Sequence, residues 1–268
     1  MTATPATPAT PATSISTFAW KERLKAAGIH LSLSLLVATL AAAIVFGVWY
    51  PYPYREIAGG RELFFLLITV DVILGPLITF AVFNRKKPWT ELRRDLAIVG
   101  LLQLSALGYG MWTVFVARPV HSVFEIDRFR VIHAIDVPEV LLSQTPANID
   151  ALPLTGPTLL GMRPFRDNNE SMEATMLALR GLALGARPDF WQPYAQSRAD
   201  VLRVAKPLAT LKARPALAPI VDTAMQKLGR SNTDGLVYLP LVARKTFWTM
   251  VLDAQTADVV AYLPIDPY

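Results

Sequence analysis

Asp71 poses the sharpest chemical question in the chain. It is the single carboxylate within LFFLLITVDVILGPLITFAVF, an apolar run of about twenty residues and long enough to cross a bilayer. A carboxylate at that depth costs about 3 kcal/mol on insertion scales, so it is expected to face protein or water and to be readily protonated. Asp71, Gly75 and Thr79 recur every fourth position, a small and polar stripe against which another helix can pack closely. Pro76 has no N–H to give the carbonyl of Val72, and a kink is expected there. On an antiparallel neighbour, Gln103, Ser105 and Tyr109 are the polar groups that can answer the acid, with Gly108 and Tyr109 at its level. Two roles stay open. Asp71 either joins helices within this chain or meets a polar group on another protein's membrane helix.

Other candidates offer less. His30, His121 and His133 form no HExxH or similar ligand spacing, so no metal is expected. Ser122, His133 and Asp136 can be written as a nucleophile trio, but GxSxG is absent, as are a Walker loop and a dinucleotide GxGxxG. Asp127-Arg128-Phe129-Arg130 alternates charge and aromatic ring, which a strand with one solvated face explains more simply than phosphate binding. There is no cysteine, which removes disulfides, thiol nucleophiles and thiolate metal sites together. No cofactor and no catalytic activity are expected.

Several elements must position these residues. Residues 1–17, rich in Thr, Ala and Pro, read as a disordered tail. Residues 18–117 read as a membrane anchor of three helices, with spans at about 29–49, 63–83 and 96–116. FAWKERLKAAG is the basic start of the first, with His30 at the inner interface, and the run is too long for a cleaved signal peptide. Trp49, Tyr50, Tyr52 and Tyr54 read as an aromatic belt, and Pro51 and Pro53 stop the helix. Arg85, Lys86, Lys87, Arg93 and Arg94 make the loop between the second and third spans basic, hence cytoplasmic together with the N-terminus. The C-terminal domain is then outside, in the bacterial periplasm.

Residues 118–268 read as one α+β domain with an antiparallel sheet. A strand or hairpin is expected near Val120–Ile135, and a helix from about Glu170 to Leu184, capped by Asn169 and ended by Gly185. Met172, Met176, Leu179 and Ala183 form its apolar stripe and are expected in the core. Helices follow near Pro193–Ala205, Pro207–Ala213 and Pro219–Leu228, then three strands within GLVYLPLVARKTFWTMVLDAQTADVVAYLPI. The net charge of +5 sits mostly beside the apolar runs, where it sets orientation, so no nucleic acid is implied.

Three stretches together resemble a known family: GIHLSLSLLVA; VWYPYPYREIAGGRELFFLLITVDVILGPLITFAVFN; and DLAIVGLLQLSALGYGMWTVFVARPVHSVFEIDRFRVI. Within about Gly28–Val140 they look like the type IV pilin accessory proteins of the TfpX/TfpZ type. The shared signals are D-x-x-x-G-P in one span, Q-x-x-A-L-x-Y-G in the next and A-R-P-V-x-x-V-F-x-x-D-R-F just outside. The resemblance carries over the positions Asp71, Gly75, Pro76, Gln103, Tyr109, Arg118, Pro119, Asp127 and Arg128, without assigning their roles. It implies a non-catalytic inner-membrane factor that aids pilin stability or assembly into pili. A pilin awaiting assembly is itself held by one membrane helix with its head outside. The anchor is then expected to contact that helix through Asp71, Gly75, Pro76, Gln103 and Tyr109, while the outer domain shields or orients the head. The rival reading is a membrane-tethered periplasmic sensor or ligand-binding module, which calls for a formed apolar pocket with convergent polar groups.

Overall fold

The apolar runs fold as three long helices: α1 (Trp20–Trp49), α2 (Gly60–Val82) and α3 (Trp89–Val116), each long and apolar enough to cross a membrane. The computed structural model describes residues 20–244 and 246–268; the tail expected over residues 1–17 and the turn residue at 245 lie outside them. Helices α2 and α3 begin earlier than the hydropathy suggests. Gly59, at φ 76°, turns the chain directly into α2, and the polar TELRRD stretch joins the start of α3 behind Pro88.

Helix α2 lies between the other two. At its C-terminal end Arg23 donates to the carbonyls of Phe80 (3.2 Å) and Ala81 (2.8 Å), satisfying groups that the last turn leaves open. At the opposite end of the bundle Trp49 packs on Phe115, with ring centroids 5.1 Å apart, and Tyr50 donates to the carbonyl of Val114 at 3.1 Å. The middle of α2 widens into a π turn over Val70–Leu74, just before Pro76. The expected kink thus takes the form of an extra residue in one turn, a common answer to a missing backbone donor.

After α3 the chain forms β1 (Pro119–Glu125) and β2 (Arg128–His133), the expected hairpin. Next come β3 (Thr158–Met162), α4 (Asn168–Leu179), β4 (Trp191–Pro193), α5 (Arg198–Val204), β5 (Lys206–Pro207) and a single turn at Ala209–Lys212. Helix α6 (Ala218–Lys227) precedes β6 (Leu236–Val242), β7 (Phe247–Asp253) and β8 (Val259–Leu263). Among the described residues these strands form one sheet in the order β4-β3-β1-β2-β6-β7-β8, with β5 paired to β6.

The sheet is mixed, not antiparallel as expected. The hairpins are antiparallel, but β3 runs parallel to β1 and β6 parallel to β2. Short connections enforce antiparallel pairing, whereas the long ones after β2 and before β6 allow the chain to return and pair in the same direction.

Both sheet faces are covered. On one, Phe124, Phe129, Leu239, Leu241, Met250 and Leu252 pack with Val201 and Tyr194. On the other, Leu236, Tyr238 and Val251 meet Val221 and Met225 of α6. The alternation along β6 matches the two-residue period of a strand buried on both sides.

Helix α4 departs from expectation. Its cap is Asp167, whose Oδ1 accepts from the Glu170 N–H at 2.8 Å, and it ends before Gly181 (φ 99°), well short of Gly185. Of its residues only Ala174 is buried, while Met172, Met176 and Leu179 face outward. Arg163 grips Glu170 through two bonds of 2.9 and 2.8 Å, and this pair fixes the helix with its apolar stripe turned away from the core.

Candidate functional site

The local geometry around Asp71 follows from Pro76 and Gly75. In the five-residue bonding of the π turn the Asp71 carbonyl falls opposite Pro76, which has no N–H, so this carbonyl is left for a side-chain donor. Gln103 of α3 supplies the donor, Nε2 to the Asp71 carbonyl at 3.2 Å. It reaches there because Gly75 has no side chain: a Cβ at that position would lie 2.0 Å from Gln103 Nε2. Asp71, Gly75, Pro76 and Gln103 are therefore brought together.

Asp71 as a residue is only 8% exposed, and its Oδ1 has no hydrogen-bond partner; nor does Gln103 Oε1. Tyr109 does not answer it. That side chain is 75% exposed, and Ser105 is exposed as well. The approaches of Gly75 to Gln103 and of Leu67 to Gly110 set Asp71 near the level of Ala106, less than a turn from the level expected, so it is the outward turn of Tyr109 that keeps it from the acid.

Two clefts meet at Asp71. One, about 170 Å³, runs between α1 and α3 over α2 and is lined by His30, Ser34, Ala38, Gly100, Gln103 and Leu104, among others. The other, about 240 Å³, lies between α2 and α3 and is lined by Leu66, Leu67, Val70, Tyr109 and Thr113. His30 faces α2, with Nδ1 2.5 Å from Thr79 Oγ1, and lines the first of these clefts together with Asp71. Its place beside the acid is visible only once the helices are paired.

The positions outside the bundle are structural joints. Arg118 is buried and donates to the carbonyls of Pro153 (3.2 Å), Phe115 (3.0 Å) and Leu152 (2.9 Å), its guanidinium 4.0 Å from the Phe115 ring centroid. Pro119 then opens β1 opposite His133. Asp127 and Arg128 sit at the hairpin turn, paired at 2.7 Å, and that bond raises the Arg128 pKa above its ordinary value. Arg130 pairs with buried Glu125, which also accepts from the Gly185 N–H at 2.9 Å. Phe129 points into the core. The basic residues of this stretch are neutralised by their own carboxylates, which leaves no cluster shaped for phosphate.

The hydrolase-like trio is not assembled. Ser122 accepts a hydrogen bond from Tyr54 at 3.2 Å, while His133 Nδ1 lies 3.1 Å from Asp136 Oδ2. Burial raises the Asp136 pKa, but the bonds from His133 and Arg244 outweigh it and hold the carboxyl below its usual range. His121 is spent on the fold: Nε2 donates to the Ala151 carbonyl at 3.0 Å, so Nδ1 accepts from the Thr158 hydroxyl at 2.7 Å. Among the described residues no group of three metal-ligating side chains occurs.

Tyr50, Tyr54 and Ile57 carry a role that the sequence reading missed. Tyr50 is buried among Val45, Ala58, Phe64 and Val114, and Gly60 fits only because it lacks a Cβ, which would lie 2.3 Å from the Tyr50 ring. Tyr54 and Ile57 enter the sheet core beside Phe124 and Leu241. The Gly156 N–H donates to the Val48 carbonyl at 2.7 Å. The α1–α2 connection is thus built into the C-terminal domain, and the expected belt residues Trp49 and Tyr52 pack on Phe115 and Trp248.

Comparison with known proteins supplies the context. The family model described as fimbrial assembly protein FimB matches residues 18–59. A fimbrial assembly protein of serogroup I from Dichelobacter nodosus is 36% identical over 247 residues, covering 91% of this chain and 95% of the relative. The serogroup E1 protein of the same organism is 35% identical over the same coverage, and the protein of serogroups C1 and C2 is 45% identical over 122 residues, covering 46% of this chain and 91% of that relative. No solved structure matches the chain. Near-complete coverage of relatives at this identity, in keeping with the pilin-accessory signals in its first half, shows that the chain belongs to the fimbrial assembly protein family.

Proposed function

We propose that this protein is a non-catalytic membrane factor that binds type IV pilin and supports its stability or assembly into pili. A part in pilus assembly follows from the family. The reading places α1 to α3 across the bacterial inner membrane, with the Arg85–Lys87 loop in the cytoplasm and the sheet domain in the periplasm.

The observation that carries the pilin-binding step is the joint at Tyr50, Tyr54 and Ile57. It holds the bundle and the sheet domain as one packed unit, so a single protein presents an intramembrane surface and an outer surface in fixed relation. A pilin, with one membrane helix and an outer head, offers the matching pair of surfaces. The outer surface includes a groove of about 640 Å³ between α6 and β8, lined by Ile220, Ala224, Leu228, Val260 and Tyr262 and reaching Tyr52 at the end of α1. Its apolar walls, with few polar groups converging in it, suit a protein surface better than a small polar ligand.

The test uses single introduced cysteines, which are unambiguous because the chain has none. Cysteines in the bundle and along the α6/β8 groove, labelled with a photo-crosslinker in intact cells, are expected to capture the major pilin. Capture of a different partner from every position, with no pilin, overturns the reading.

A further inference from the structure

We propose that the cleft between α1 and α3, floored by α2, seats one transmembrane helix of the partner, and that this helix brings a hydrogen-bond donor or a positive group to Asp71. The inference rests on the pilin-binding reading and says which surface of the bundle is used and by what chemistry.

The first observation is the state of the acid. Asp71 is more than nine-tenths buried, its Oδ1 has no partner, and the neighbouring Gln103 Oε1 has none either. With the acid ionised both atoms are acceptors only, and no donor within the bundle reaches either of them. In a bilayer the surrounding lipid offers none at that depth. Asp71 lies about 16 Å along α2 from its outer end at Gly60, near the middle of the helix.

The second observation is shape. Helices α1 and α3 meet at the outer end but are held apart by α2 below it, which opens a trough along the bundle. Ala38 and Gly100 line it, and a Cβ built at Gly100 meets nothing within 4 Å. Small residues with open space before them are where a further helix packs closely. An occupant at this depth must satisfy its own backbone, which limits it to a helix.

The third observation selects between the clefts that meet at Asp71. The α1/α3 cleft adds Ser34, His30 and Gln103 to the acid, whereas the α2/α3 cleft presents mainly aliphatic carbon, with Tyr109 and Thr113 toward its outer end. His30 bonds Thr79 through Nδ1 and Gln103 bonds the Asp71 carbonyl, and neither side chain comes within hydrogen-bond reach of Asp71 Oδ1. Polar walls around an unpartnered acceptor fit a helix carrying one polar group in an otherwise apolar face.

The experiment places cysteines at Val37 and Leu104 on the α1/α3 cleft, at Leu66 and Thr113 on the other, and at Thr223 in the outer groove, each in the full-length protein in native membranes. Labelled with a photo-crosslinker, the first pair is expected to capture pilin at least several-fold more than the second. Asp71→Leu, which removes the acceptor, is expected to cut capture from Val37 about tenfold, the loss of one charge-assisted bond. Gly100→Leu projects a side chain into the trough from a position where an added Cβ meets nothing within 4 Å, and is expected to do the same at normal protein level. Equal or greater capture from Leu66 and Thr113, capture of lipid alone at Val37, or full capture by both variants overturns the proposal. If Thr223 still captures pilin in that case, the pilin-binding reading survives; if no position captures pilin, that reading falls as well.

Discussion

Tyr54 Oη donates to Ser122 Oγ at 3.2 Å, linking the connection after the first apolar helix to the first strand that follows the third. The same hydroxyl lies 3.5 Å from that of Tyr262 on the last strand. One ring therefore ties together the helical bundle, the start of the sheet and its final strand.

Tyr54→Phe removes the bond to Ser122 and keeps the packing, and should cost about 1 kcal/mol. Ile57→Ala leaves a cavity in the same core and should cost about 2–5 kcal/mol. Thermal unfolding of the purified protein in detergent, followed by near-ultraviolet circular dichroism, measures both. The larger loss should come from Ile57.

Gly60→Ala should destabilise the joint by about 1–3 kcal/mol, because the new methyl group meets the Tyr50 ring. The double variant Gly60→Ala with Tyr50→Leu should lose less than the two single changes together. A sum equal to the separate losses would mean that the ring and the glycine do not share space.

Arg118→Met keeps much of the side chain's bulk but leaves the carbonyls of Leu152 and Pro153 without their donor. The expected loss is about 2–3 kcal/mol. Limited proteolysis should show it locally as faster cleavage within residues 145–157, since those carbonyls hold that connection against the end of α3.

His121 makes stability depend on pH. Burial lowers its pKa to about 4 from the ordinary value of 6.5, so the folded protein resists a proton that the unfolded chain takes up readily. Stability from this residue is therefore complete above about pH 6.5, declines as pH falls toward 4, and is lost below that, by about 3 kcal/mol in all. His121→Gln should flatten the fall in melting temperature between pH 6.5 and 4. An unchanged acid limb would assign the fall to other groups.

The helices and the last three strands are legible in the sequence because each rests on a local signal: unbroken apolar runs for α1 to α3, and short β-branched and aromatic runs separated by turns for β6 to β8. The order of the strands is not local. Nothing between Ala134 and Pro157 announces that β3 returns parallel to β1, and antiparallel pairing is the natural expectation from short hairpins alone. The exposed Met172, Met176 and Leu179 show a pattern overruled by anchoring: Arg163 and Glu170 orient α4, and the apolar stripe follows.

At the candidate site, the D-x-x-x-G-P spacing brought Asp71, Gly75 and Pro76 into view, and Gln103 was among the expected partners. Counting depth places Tyr109 within a turn of Asp71 but says nothing of which way its ring faces, and the ring faces outward. Tyr54 and Ile57 were hidden for another reason. An aromatic residue beside an apolar run reads as an interfacial anchor, and only the folded sheet shows that it has a cavity to fill.

The place of Tyr54 and Ile57 also limits how the protein can be dissected. A fragment cut after α3, from residue 118 onward, would keep every strand yet expose the hydrophobic socket that those two side chains occupy. Such a fragment is expected to aggregate when produced alone, and to become tractable when a peptide covering residues 50–58 is fused to it through a flexible linker. The piece that makes the water-facing half self-sufficient is thus encoded between the first two apolar runs, on the far side of two helices.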